Sequence, residues 1–170
     1  VNFISGGTGF VGRRLTVALQ QKQVDVRLLF RSKKNKNKNT IECDLQTESI
    51  PNDALIGVDT IFHLAGFSHD MRDPGNIKDL YYKVNVDATI KLAKLAVRSG
   101  VMKFIFVSTV KAGGSLNSGV CASEKDQGEP EGVYGKTKRE AELRLLEIGK
   151  NSSMQVSIIR PSLVYGPNVK

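Results

Sequence analysis

Two patterns in this chain hold residue types that chemistry needs. Gly6, Gly9 and Gly12 recur at intervals of three in SGGTGFVG, directly after the apolar opening VNFIS. Tyr134 and Lys138 stand four apart in YGKTK, a spacing that on a helix puts the phenol and the ammonium on one face. Glycine inside a folding element costs backbone entropy, so glycines at a fixed interval imply that something must come close to the backbone. Between a strand and a helix the interval suits a pyrophosphate. Gly6 serves a tight turn, Gly9 the approach of phosphate to backbone N–H groups, and Gly12 the packing of the helix against the sheet. The helix start, with Phe10 and Val11, then offers unpaired N–H groups and the positive end of its dipole.

The far end of such a ligand is read where the second strand stops. An acid there accepts from the 2′-hydroxyl of NAD, whereas an Arg pairs with the 2′-phosphate of NADP. VDVRLLF runs into Phe30-Arg31-Ser32-Lys33, with no acid. Arg31, with Lys33 beside it, could clamp a phosphate bidentately, which favours NADP slightly. The other reading is solvated cations at the mouth of the loop RSKKNKNKN.

The hydrophobic pattern supplies the elements that must hold these residues. VNFIS reads as a strand and GFVGRRLTVALQQK as a helix with Val11, Leu15, Ala18 and Leu19 on one face. VDVRLLF is the second strand, and a short third lies near TIEC. DTIFHLAG is a nearly continuous apolar run of the kind buried on both sides of a parallel sheet. A helix over about 80–99 carries Ile90, Ala93, Leu95 and Val97 and ends at Gly100. KFIFVST is the fifth strand, YGKTKREAELRLLEIG a helix closed by Gly149, and QVSIIRP a sixth strand ended by Pro161. This alternation predicts an α/β fold, a doubly wound parallel sheet with right-handed crossovers, or Rossmann fold. Ligands of that fold bind where strand order reverses, beside the end of the first strand, and the glycines stand there.

Composition limits the alternatives. At 170 residues and 40% hydrophobic content the chain suits one globular domain. No apolar run approaches the ~18 residues of a membrane span, and there is no secretory signal pattern. The chain opens inside a strand without Met and stops in VYGPNVK, which reads as a fragment of something longer. The net charge of +8 is concentrated in the Arg31–Asn39 stretch, which lacks the aromatic or groove-reading residues of a nucleic-acid surface. Cys43 and Cys121 form neither a C-x-x-C motif nor a disulfide framework, so a reducing cytoplasm is expected. His63 and His69 lack the spaced partners of a metal site, and no metal is expected.

With SGGTGFVG, FHLAG, YGKTK and IIRPSLVYGP in this order, the sequence resembles the extended short-chain dehydrogenase/reductases, and among them the NAD-dependent epimerase/dehydratase branch. UDP-galactose 4-epimerase and related nucleotide-sugar enzymes belong to that branch. The resemblance covers residues 1–170 as the NAD(P)-binding half of such an enzyme, with the C-terminal substrate domain absent. It implies that Asp44 and Leu45 lie beside the adenine, and that Leu64, Ala65 and Gly66 line the dinucleotide path. Asn85, in YYKVNVDAT, matches a structural Asn on the central helix; Ala88 replaces the family's usual glycine there. Pro161 to Val164 would lie alongside the nicotinamide.

The same resemblance makes Tyr134 the general base and Lys138 the group that lowers its pKa and bonds the nicotinamide ribose. A phenol of pKa about 10 needs a drop of about three units, roughly 4 kcal/mol, to work at neutral pH. The third catalytic member is a strand-end hydroxyl: Thr109 is in the better register and Ser108 is the fallback. The implied reaction is hydride transfer at a sugar hydroxyl carbon on a UDP-linked substrate, as in a 4-epimerase or dehydrogenase, with a homodimer allowed. Two alternatives stay open, an NADP-dependent reductase of steroid or flavonoid ketones and a non-catalytic dinucleotide sensor. The Tyr/Lys pair argues against the second.

Overall fold

Six short apolar runs form strands: β1 (Asn2–Ser5), β2 (Val26–Phe30), β3 (Thr40–Glu42), β4 (Thr60–His63), β5 (Lys103–Val107) and β6 (Gln155–Ile159). The computed structural model describes residues 1–31, 39–68, 77–115 and 123–167. All neighbouring strands pair in parallel, in the order β3-β2-β1-β4-β5-β6. The order reverses at β1, where Ser5 pairs with Leu29 on one side and His63 on the other. This is the doubly wound Rossmann arrangement, and it places the end of β1 at the switch point.

The helices are α1 (Phe10–Gln21), α2 (Ile77–Tyr82), α3 (Thr89–Arg98), α4 (Val110–Gly113) and α5 (Gly132–Lys150). A π-helical turn, Lys83–Ala88, joins α2 to α3 without a break in helical backbone. The core forms around Phe3, Ile61, Phe104 and Phe106 of the sheet, with Leu92 and Ala96 of α3 and Ala141 and Leu145 of α5. Burying aromatic and branched side chains of this size stabilises a domain by about 1.5–3 kcal/mol each.

Several elements differ from the sequence reading. The buried residues of α1 are Gly12 and Thr16, while Val11 and Ala18 are exposed. Of the expected apolar stripe only Leu15 and Leu19 are half-buried, and close backbone approach at Gly12 supplies the rest of the contact. In α3, Leu92 and Ala96 are buried and Val97 turns outward. Gly149 does not close α5 but lies within it, and a Cβ there would stand 2.8 Å from the Val156 side chain. Its absent side chain lets the helix end pack on β6. The four-residue α4 has no periodic signature of its own.

Candidate active site

The glycine turn is built against the end of β4. Gly6 has φ +76°, and a Cβ there would come within 2.6 Å of the Ala65 nitrogen and 2.7 Å of the Leu64 carbonyl carbon. Gly9 donates its N–H to the Gly6 carbonyl at 3.0 Å. A Cβ on Gly12 would stand 2.2 Å from that same carbonyl oxygen, so at Gly12 the helix packs directly on the turn. Gly9 differs: its φ of −70° is ordinary, and a Cβ would meet only the Gly6 carbonyl, at 3.2 Å. The space in front of Gly9 is open. No side chain caps the α1 N-terminus and no acid occupies its first turn, so the Phe10 and Val11 end keeps its positive dipole.

A cavity of about 250 Å3 runs from this turn along the strand ends. Gly6, Gly9, Arg31, Asp44, Leu45, Leu64, Ala65 and Gly66 line it, with Leu29, Cys43, Phe67 and Val84. Eight of the residues assigned to the cofactor thus come together from four separate stretches of chain. Asp44 is partly committed, because its Oδ1 accepts from the Gln46 N–H at 2.9 Å. Burial, with Glu48 and Asp44 adding to it, pushes the Cys43 thiol up to about 11. Lys33, His69 and Cys121 lie outside the described residues. Larger hollows, of about 440 Å3 beside α2 and about 590 Å3 between α3 and α5, contain none of the glycine-turn or Tyr/Lys residues.

His63 fastens this floor from behind. Fully buried at the end of β4, it bonds Ser5 Oγ through Nδ1 at 2.5 Å and Thr89 Oγ1 through Nε2 at 2.8 Å. Its ring stacks on Phe106. Burial, then Lys138, lowers its pKa to about 3, so the ring is neutral. Asn85, in the π-helical turn, accepts from the Phe67 N–H at 2.7 Å and donates to the Phe67 carbonyl and Thr137 Oγ1 at 3.0 and 3.2 Å. It ties the Gly66–Phe67 segment to α5. Sequence reading placed both residues but missed these bonds; a His inside the apolar run DTIFHLAG was the signal for a buried imidazole.

Tyr134 and Lys138 lie on one face of α5. Gly135 between them exists for close packing: a Cβ would stand 2.5 Å from the Lys111 carbonyl oxygen of α4. Lys138 Nζ donates to the Val107 carbonyl at 2.8 Å and sits 3.9 Å above the Phe106 ring. A Cβ on Gly66, which lines the cavity, would come 3.8 Å from that nitrogen. Desolvation lowers Lys138 to about 7, partly opposed by Glu142. Burial, then Tyr81, raises the Tyr134 phenol above its ordinary value. The lowering expected from Lys138 is therefore not produced by these side chains alone, because burial of the phenol raises it.

The two strand-end hydroxyls have different surroundings. Thr109 is the N-cap of α4, its Oγ1 accepting from the Lys111 N–H at 3.3 Å. Ser108 Oγ is buried and has no hydrogen-bond partner among the described residues. Pro161 lies beside both, its carbonyl accepting from the Val110 N–H at 3.2 Å, while Ser162 to Val164 are exposed. A buried ion pair also appears that sequence reading missed. Arg160 grips the Glu142 carboxylate through Nε at 2.9 Å and Nη2 at 2.5 Å. Glu142 extends the four-residue spacing of Tyr134 and Lys138 by one step, and that was the available signal.

Comparison with known proteins meets this geometry. The NAD-dependent epimerase/dehydratase family model matches residues 2–170. The chain belongs to this family. A UDP-glucose 4-epimerase of Vibrio cholerae is 37% identical over 98% of the chain and 52% of its own length. An Escherichia coli O157:H7 N-acetyl-alpha-D-glucosaminyl-diphospho-ditrans,octacis-undecaprenol 4-epimerase is 31% identical over 95% of the chain and 48% of its own length. The solved structure of MoeE5 in complex with UDP-glucuronic acid and NAD superimposes with a TM-score of 0.86 at 26% identity, over 99% of the chain and 56% of MoeE5. The chain thus spans about half the length of the epimerase/dehydratase relatives it matches. Among the described residues no helix is long and apolar enough to cross a membrane, and no cluster of metal-ligating side chains occurs.

Proposed function

We propose that residues 1–170 are the dinucleotide-binding domain of an NAD(P)-dependent nucleotide-sugar enzyme of the 4-epimerase type. The observation that carries this reading is one cavity running from the open cradle at Gly9 to Gly66, where a Cβ would stand 3.8 Å from Lys138 Nζ. The residues fit such a cofactor on two counts: the space before Gly9 is open to a phosphate, and Ser108 Oγ is a buried polar atom in want of a partner. Gly6, Gly9 and the first amides of α1 would hold the pyrophosphate, Asp44 and Leu45 the adenine end, and Lys138 and Pro161 the nicotinamide end. When bound, the cofactor supplies a reversible acceptor for hydride.

The side chains supply the proton chemistry. Tyr134 takes the proton of a sugar hydroxyl as the carbon–hydrogen bond of that carbon breaks, and returns it in the reverse step. Thr109 or Ser108 holds the oxygen, and Lys138 favours the phenolate by its charge. Tyr134→Phe removes only the phenolic oxygen. Turnover of a UDP-sugar by the full-length protein is expected to fall by at least about 100-fold, with NAD(P) affinity retained. Near wild-type turnover in that variant overturns the assignment.

A second reading, an NADP-dependent ketone reductase, is favoured by Arg31 at the β2 end of the cleft. A putative dihydroflavonol 4-reductase of Synechocystis sp. is 29% identical over 97% of the chain and 49% of its own length. Ketone reduction with NADPH and no turnover of a UDP-sugar would select this reading and leave the Tyr134 chemistry standing.

A further inference from the structure

A buried carboxylate costs several kcal/mol unless it is paired, so Glu142, only 2% exposed, needs an explanation. Its partner is Arg160, whose fork closes on both carboxylate oxygens at 2.5–3.2 Å, while its other amino group reaches Gln127 Oε1 at 3.1 Å. Glu142 lies one turn beyond Lys138 on the same face of α5. Lys138 is equally buried, and its hydrogen bond goes to a backbone carbonyl rather than to an acid. An ammonium in that position must draw its countercharge from nearby.

We infer that Glu142, held in place by Arg160, is a positioning residue that keeps Lys138 protonated near the Gly66 end of the cavity. The inference rests on the proposed function, in which Lys138 works as an ammonium. The groups facing Lys138 leave few alternatives. His63 of β4 is neutral, Phe106 and the Val107 carbonyl of β5 carry no full charge, Asn85 of the π-helical turn is an amide, and Tyr134 is a neutral phenol above its ordinary pKa. Tyr81 of α2 is likewise a phenol. Glu142 is the acid that opposes the desolvation of Lys138. The bidentate grip of Arg160 fixes that carboxylate in place. A mere brace between α5 and β6 would need the same contacts but would leave Lys138 indifferent to them.

Titration of Lys138 distinguishes the two roles. Lysine-selective carbon-13 NMR at Cε of the full-length protein, with the signal assigned by its loss in Lys138→Met, follows the midpoint directly. In Glu142→Gln the midpoint is expected to fall by about one pH unit or more, a tenfold loss of proton affinity. Removing both partners, as Glu142→Gln with Arg160→Gln, leaves no unpaired cation behind, and the midpoint is still expected to fall; Arg160→Lys keeps the charge and holds the midpoint near wild type. NAD(P) affinity in Glu142→Gln is then expected to weaken at a correspondingly lower pH. An unchanged midpoint in folded Glu142→Gln overturns the inference. If that variant fails to fold with Arg160 unpaired, an unchanged midpoint in the double variant does the same. A shifted midpoint in a protein that turns over no nucleotide sugar sustains the charge link and removes the substrate reading instead.

Discussion

The glycines show how a single missing side chain can serve two different ends. Gly6 and Gly12 fill places where backbone touches backbone, whereas Gly9 leaves space that nothing among the described residues occupies. The sequence interval made all three legible, but it could not say that Gly12 packs directly on the turn. That distinction depends on a 2.2 Å approach that only the folded geometry contains. Arg31 belongs to the same scale. If its guanidinium meets a 2′-phosphate, Arg31→Ala should weaken NADP by about 1.5–3 kcal/mol and leave NAD nearly unchanged, as calorimetric titration of both would show. Equal loss of both dinucleotides, or of neither, returns Arg31 to the solvated loop. Thr109 was found by register with the family motif, yet its capping bond to Lys111 and the unpartnered Ser108 hydroxyl were invisible in VST.

At the scale of elements, α4 and α5 form a unit whose contact surface is the Gly135 position. The α5 helix brings Tyr134 and Lys138 into place, and α4 begins at the Thr109 cap. A Cβ at Gly135 would strike the Lys111 carbonyl at 2.5 Å, and backbone cannot move aside as a flexible side chain can. Gly135→Ala is expected to cost about 1–3 kcal/mol in urea unfolding and to spread Thr109 from Tyr134. Unaltered stability and turnover would show that the two helices have more freedom than their packing implies. Strands and long helices were legible because their apolar runs and turn residues agree with the tertiary fold. The buried face of α1 and the interior place of Gly149 were not, because close approach at a glycine leaves no apolar side chain to mark it, and in α1 the apolar residues marked a neighbouring face instead. The π-helical turn was hidden for a similar reason: Asn85 bulges the helix to reach Phe67, a demand set by distant chain.

For the whole molecule, two buried bases make stability depend on pH. His63 falls from its ordinary 6.5 to about 3, so below pH 6.5 the unfolded chain binds a proton that the folded chain refuses. Its contribution is complete above pH 6.5 and is lost as pH falls toward about 3, at roughly 1.4 kcal/mol per unit. Lys138 acts in the same direction at higher pH: its contribution is complete above its ordinary 10.5 and declines as pH falls through about 7. Urea unfolding at pH 4.5, 5.5 and 6.5, roughly spanning the His63 window, should show a steeper loss in wild type than in His63→Gln, by about one proton. Parallel slopes would mean that His63 takes up its proton within the fold. The α/β class and the switch-point location followed from the order of strands and helices, and the family model bears out the resemblance over residues 2–170. The ion pair of Arg160 with Glu142 did not, since its members are 18 residues apart, one just after β6 and the other within α5. The central claim is that the open cradle at Gly9 receives the pyrophosphate of a dinucleotide. Calorimetric titration of NAD and NADP onto wild type and Gly9→Val tests it most directly, because the ordinary φ of Gly9 lets the variant fold. The account expects the wild type to bind at least one dinucleotide, and Gly9→Val to bind it at least about tenfold more weakly with its unfolding midpoint nearly unchanged. Equal affinity in the two proteins would contradict it.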